Sequence, residues 1–158
     1  MALDKAEFRR VMGCFATGVT VVTTRSLAGE FHGLTANAFS SVSLDPPLVM
    51  VCIDKKSESY PCFQQSGVFT VNTLAADQEH LSRRFAASGG DKFSGVEYQI
   101  GANGTPILSG TLAYLECKVA AAYDAGDHTI YVGEVQQVEA RPGAPLVFYR
   151  GGYRNLSE

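Results

Sequence analysis

Residues 31–54, FHGLTANAFSSVSLDPPLVMVCID, decide how the rest of the chain is read. Residues 33–44 interleave small polar side chains (Thr35, Asn37, Ser40, Ser41, Ser43) with apolar ones (Leu34, Ala36, Ala38, Phe39, Val42, Leu44). That is the two-residue period of a half-buried strand. Residues 48–53, LVMVCI, are unbroken apolar and predict a fully buried strand, with Asp45-Pro46-Pro47 as the break. The alternation slips phase near Phe39-Ser40, which predicts a bulge or bend. A strand carrying hydroxyls, one amide and backbone groups offers hydrogen bonds without bulk. It suits a flat heteroaromatic edge or a phosphate that must come close to the backbone. A Thr/Ser-rich strand facing water satisfies the same pattern.

The 158 residues predict one domain, 1–158, long enough to bury a core. An apolar fraction of 46% and a charged fraction of 18% belong to a globular chain rather than a disordered one. A net charge of −3 with no Lys/Arg cluster argues against nucleic acid as a partner. Cys14, Cys52, Cys62 and Cys117 form no CxxC, and His32, His80 and His128 have no metal-ligand spacing, so no metal site is expected. The charged N-terminus lacks the apolar core of a signal peptide, and no apolar run is long enough to span a bilayer. With free thiols, this predicts a cytoplasmic protein without a membrane partner.

Asp4 and Glu7 have the spacing of a capping box, and Phe8, Val11, Met12 and Phe15 recur at helical spacing, as core or dimer packing. Thr17-Gly18 is expected to end this helix. Strands are predicted at 19–24, 68–74, 96–100, 111–123, 129–138 and 146–149, and the first pairs as a hairpin with the strand entering at Glu30. A short helix is expected over 60–65. A second opens at Asp77-Gln78-Glu79 and closes at Arg83-Arg84, as the helix dipole prefers. On the 111–123 strand, Glu116 and Lys118 are placed on one face and Cys117 on the other. Many short strands with Gly/Pro turns and only two clear helices make the chain mainly β and predict an antiparallel closed barrel with helices over its ends. Neither a GxGxxG nor a Walker lysine motif is present.

GLTANAFSSVSLDPPLVMVCID resembles the signature of the flavin reductase family of the FMN-binding split barrel, the reductase components of two-component flavin-dependent monooxygenases. TGVTVVTT at 17–24, GDHTIYVGEV at 126–135 and PLVFYRGGY at 145–153 match as well, in order and over nearly the whole chain. The resemblance implies an antiparallel split β-barrel, a homodimer, and FMN or FAD as flavin with NADH or NADPH as donor. It also implies a separate oxygenase that receives the reduced flavin.

It further implies flavin contacts from Thr35, Asn37, Ser40 and Ser41, from the backbone of Ala36 and Ala38, and from Cys52, Ile53 and Asp54 at the end of the next strand. Lys55 and Ser59, in a loop with two lysines, are read as a phosphate cradle, and a solvated hairpin tip fits Lys56 better than Ser59. Arg84 is read as a phosphate clamp, against a surface arginine at a helix end, with Arg83 pointing away. Phe85 is read as core or ring-stacking. The resemblance puts His128 beside the nicotinamide as the catalytic position, and adds Tyr149, Gly151, Gly152 and Tyr153, whose glycines allow close approach. A packed C-terminal turn explains the same four residues.

The reaction implied is hydride transfer between two planar rings, which needs positioning rather than a nucleophile. Two other readings share the fold: a flavin-binding module without turnover, and a pyridoxamine-phosphate-oxidase-like enzyme. The second lacks the basic residues expected around another phosphorylated substrate.

Overall fold

The computed structural model describes residues 1–157. Asp4 caps helix α1 (Lys5–Met12), its carboxylate accepting the N–H groups of Ala6 and Glu7 at 3.3 Å each. Glu7 does not complete the capping box, because its carboxylate pairs with Arg10 at 2.7 Å. The helix stops at Met12, where the Gly13 N–H donates back to the Arg9 carbonyl. Thr17–Gly18, expected to end the helix, instead form a short strand, β1, against a later strand near the C-terminus. No α1 residue is buried, and Phe8, Val11, Met12 and Phe15 are each more than half exposed. The apolar stripe is therefore not core of this chain.

Strands β2 (Thr20–Arg25) and β3 (Phe31–Ala36) form the expected hairpin, turned where the Gly29 N–H donates to Ser26 O at 3.0 Å. The single strand expected over 33–44 is two. It breaks at Asn37-Ala38, and β4 (Phe39–Ser43) pairs not with β3 but with β5 (Leu48–Asp54). β5 also departs from expectation. Val49, Val51 and Ile53 are buried, whereas Leu48, Met50 and Cys52 are only half-buried. An apolar run thus need not be covered on both faces, and here the Cys52 side meets a cleft.

With β6 (Val68–Thr73), β9 (Ala113–Ala125) and β10 (His128–Ala140), these strands make one seven-stranded sheet in the order β3-β2-β6-β9-β10-β5-β4. All its pairings are antiparallel. Its two edge strands, β3 and β4, are consecutive in the chain. Three peptide steps of ~3.8 Å carry Ala36 to Phe39, at most about 11 Å, so the sheet must roll until its edges nearly meet. The edges do not pair, and the barrel is split there.

Helix α2 (Tyr60–Ser66) ends on Gly67 at φ 76°, where a side chain would be strained. Helix α3 (Glu79–Ala86) lies on β3 and buries Leu81, Ser82 and Phe85. One apolar cluster gathers Val22, Val51, Ile53, Phe63, Phe69 and Tyr131. A second joins Val21, Leu74, Leu81, Phe85, Leu108 and Leu146 beneath α3. In β10, a Cβ on Gly133 would stand 2.5 Å from Phe69, so only hydrogen fits there.

Glu116, which alternation places on the same strand face as exposed Lys118, is 2% exposed. The 101–105 turn folds over it, and its carboxylate accepts the Asn103 N–H at 3.0 Å. Four short strands escaped the pattern or are shorter than expected. β7 (Tyr98–Ile100) pairs with the unforeseen β8 (Pro106–Leu108), and β11 (Val147–Tyr149), which also receives β1, pairs with the unforeseen β12 (Gly152–Arg154). Three residues cannot display a period. β8 is held by buried Asn72, whose side-chain oxygen accepts the Leu108 N–H at 2.9 Å.

Candidate functional site

Where the barrel splits, a cleft of about 350 Å³ opens. One wall is the end of β3 with the Asn37-Ala38 crossover, and the opposite wall is the end of β5 with the 54–58 loop and His128. The end of α3 and the segment after it close the third side.

Each wall is fixed by local chemistry. The Thr35 hydroxyl donates to the Ser82 carbonyl at 2.6 Å, tying β3 to α3. Phe85 packs against Gly33 so closely that a Cβ there would sit 3.1 Å from the ring. Crossing from one sheet edge to the other takes Asn37 and Ala38 out of the ladder. Their carbonyls accept the N–H groups of Phe39 and Cys52 at 3.0 Å each. Among the described residues, no acceptor meets the N–H of either Asn37 or Ala38. Both residues are exposed, so two backbone donors with methyl- or amide-sized neighbours face solvent at the cleft wall, open to an incoming acceptor.

Cys52 lines the cleft as a neutral thiol, since burial pushes its pKa up. His128 begins β10, directly across from Asp54 at the end of β5. Its Nδ1 is 2.7 Å from the Asp127 carboxylate, which the imidazole holds below the usual carboxylate range. Among the described residues, the other ring nitrogen, Nε2, makes no hydrogen bond. Lys56 and Lys92 bring positive charge, and Glu58 and Asp54 negative charge. The Lys92 ammonium donates to Phe85 O at 3.2 Å, and burial lowers its pKa.

Of the residues singled out in the sequence, Thr35, Ala36, Asn37, Ala38, Cys52, Asp54, Phe85 and His128 meet at this cleft. The others do not line it. Ser40 and Ser41 lie on β4 and are exposed, and the Ser40 hydroxyl donates to Ser41 O at 3.0 Å. Ile53 points the other way along β5 and is fully buried in the core. Lys55 turns outward to Asp124 and the Gly126 carbonyl, so Lys56 is the loop lysine at the cleft. Ser59 is buried behind it, donating to Gly33 O at 3.3 Å.

Arg84 stands outside the cleft, and its guanidinium is spent on the carbonyls of Asp91 (3.3 Å), Lys92 (2.6 Å) and Ser94. It staples the 87–95 segment rather than facing a ligand. Arg83 points away as expected, pairing with Glu79 at 2.7 Å and lying over the Tyr153 ring. Tyr149, Gly151, Gly152 and Tyr153 form the β11–β12 hairpin, away from the cleft lining. The Tyr153 hydroxyl is bound to Ser82 Oγ at 2.6 Å.

Ser57, the second hydroxyl of the 55–59 loop, lines the cleft too, as do Glu58, Ala86, Ala87, Ser88 and Lys92, which the sequence did not single out. Gly89 and Gly90, both at positive φ, were the available signal that the 87–95 segment doubles back.

A split antiparallel barrel with a ligand-sized cleft at its seam defines a class, and the chain belongs to it. It is a member of the flavin reductase like domain family, matched over residues 12–157. Among its relatives is FMN reductase (NADH) SmoA of Agrobacterium fabrum, 47% identical over 154 residues, covering 98% of this chain and 87% of that one. The reductase subunit HsaB of a flavin-dependent monooxygenase from Rhodococcus jostii is 40% identical, covering 98% of this chain and 80% of its own. The solved structure of the NADH:FAD oxidoreductase SgcE6 of Streptomyces globisporus, with NAD and FAD fragments, superposes with a TM-score of 0.93 at 40% identity. It covers 98% of this chain and 93% of that one. No helix among the described residues is long and apolar enough to cross a membrane. Among them, too, no group of three or more His, Cys, Asp or Glu side chains is placed to hold a metal.

Proposed function

We propose that the protein is an NAD(P)H:flavin oxidoreductase that reduces FMN or FAD and supplies the reduced flavin to a separate monooxygenase. The observation that carries the reading is the pair of solvent-facing N–H groups at Asn37 and Ala38, outside the strand ladder on a cleft wall whose neighbouring side chains are small. They fit a flavin ring edge: a planar acceptor can reach the backbone there with nothing bulky in between. When bound, flavin supplies the hydride acceptor for a dihydronicotinamide. The relatives named as reductases of flavin with NADH support the same activity.

The chain's own residues then bind and orient. Asn37 and Ala38 donate toward the ring edge, where negative charge builds on reduction, which favours the reduced state. Lys56 and Lys92 offer charge to a phosphate. Phe85 and Gly33 keep the floor rigid, and His128, held through Nδ1 by Asp127, presents Nε2 to the nicotinamide side. Cys52 does not act as a nucleophile, because burial keeps its thiol protonated.

The exposed stripe of Phe8, Val11, Met12 and Phe15 supports a homodimer through α1, since an apolar face of that kind is seldom left to water. Four cysteines without a disulfide fit a reducing compartment such as the cytoplasm. The test is aerobic NADH consumption with and without added FMN or FAD. Flavin-dependent consumption is expected, and a bound flavin that NADH and NADPH leave oxidised would overturn the reading.

A further inference from the structure

Beside the main cleft lies a second compartment of about 190 Å³, lined by Phe31, His32, Gly33, Ser59, Lys92 and Phe93 among others. Three chain segments run from one compartment into the other. On β3, Leu34 and Thr35 face the first and residues 31–33 the second. In the 54–59 loop, Ser57 faces the first and Ser59 the second, while Glu58 borders both. In the segment after α3, Ser88 faces the first and Gly90 the second. Between those two stands Gly89, whose N–H donates to both Glu58 carboxylate oxygens at 3.0 Å each. The Glu58–Gly89 bond thus lies where the residues lining the two compartments meet.

Resting on the flavin reading above, we propose that this bond is a latch that sets the preference of the site for a mononucleotide over a dinucleotide flavin. Closed, it confines the ligand to the main cleft, whose size is at the small end of roughly 300–1,000 Å³ for ligand cavities, and places a carboxylate where a pyrophosphate would pass. Open, it admits the adenylate half of FAD into the second compartment. Phe31, Phe93 and His32 offer that half ring faces and edges for a purine. Lys92, bordering both compartments, meets the pyrophosphate between them. Burial lowers the Lys92 pKa and Glu58 partly offsets this, so an anion alongside the ammonium is stabilising.

The test is flavin affinity by fluorescence titration for the wild type, Glu58→Ala and Glu58→Gln. Glu58 is exposed, so neither change disturbs the core. Loss of one charge-assisted, solvent-facing hydrogen bond is worth about fivefold. Glu58→Ala is therefore expected to lower the ratio Kd(FAD)/Kd(FMN) by about that factor. Glu58→Gln, which keeps an acceptor for Gly89, should stay closer to the wild type. An unchanged ratio in Glu58→Ala overturns the latch, and so does an equal shift in both variants, which would leave charge alone as the cause. With FMN as acceptor, a changed KM for NADH beside an unmoved flavin ratio would assign the second compartment to the nicotinamide dinucleotide and overturn the proposal. Failure of wild type to bind either flavin would instead remove the flavin reading itself.

Discussion

Arg84→Ala separates two roles that the sequence left undivided. A guanidinium in contact with a ligand phosphate would matter only when ligand is bound. The structure instead gives it the carbonyls of Asp91, Lys92 and Ser94. These bonds face solvent, so their loss costs net exchange with water and not the burial of orphaned acceptors, ~0.5–1.5 kcal/mol for each. Solvent screening and partial compensation bring the sum to roughly 1.5 kcal/mol for holding the 87–95 segment, about a tenfold rise in its opening constant. Amide exchange over 87–95 should speed up by about that factor. Flavin Kd should rise less, about threefold, because a segment that is mostly closed loses only part of its closed population. Global stability should barely move. In a Lys92→Ala background, Arg84→Ala should add little to Kd, since the staple acts on binding by placing Lys92 at the cleft. Arg83→Ala, which removes a surface pair with Glu79, is the control and should leave the segment's exchange unchanged. Weaker flavin binding with unaltered exchange would refute the staple and return Arg84 to direct ligand contact, and equal effects of Arg83 and Arg84 would remove any special role.

His128→Ala should lower kcat/KM for NADH by about tenfold through lost positioning, more than it changes flavin affinity, and an unaltered rate removes His128 from the site. Gly133→Ala sets a Cβ 2.5 Å from Phe69 and 2.9 Å from Cys117. Overpacking of this kind costs about 1–3 kcal/mol, a fall in Tm of roughly 4–10 °C by calorimetry, and an unchanged Tm would mean the strand shifts freely. Burial pushes the Cys117 thiol and the Tyr131 phenol each up to about 12. Unfolded, both groups lose their protons at lower pH, so stability is intact below about 9 and falls as pH climbs toward 12. Denaturant midpoints measured across that window should fall less steeply for Tyr131→Phe than for wild type; parallel curves would count against it. Under the proposed homodimer, replacing Phe8 and Phe15 by Asp should leave a monomer by sedimentation where the wild type sediments as a dimer, and equal masses of the two would count against an interface on that stripe.

Sequence alone determined the elements whose signal is local. Thr/Val-rich β2, the polar-apolar alternation of β3, the Asp4 cap and the acidic-to-basic order of α3 are written in spacing and side-chain type. Residues 35–38, singled out because small side chains leave the backbone accessible, do line the cleft, although the break at Asn37-Ala38 carries no mark in the sequence. Tertiary structure decided which copies of a repeated residue type line the cleft. Lys55 and Lys56 differ by one position, and only the partner across the β9–β10 turn, Asp124, draws Lys55 away. Arg84 is composed for phosphate, yet carbonyls of a segment that doubles back reach it first. Glu116 looks solvent-facing in its strand until a turn 13 residues upstream covers it. In each case the deciding neighbour is distant in sequence or folds back from a loop, and no periodicity encodes a contact that only the rolled sheet creates.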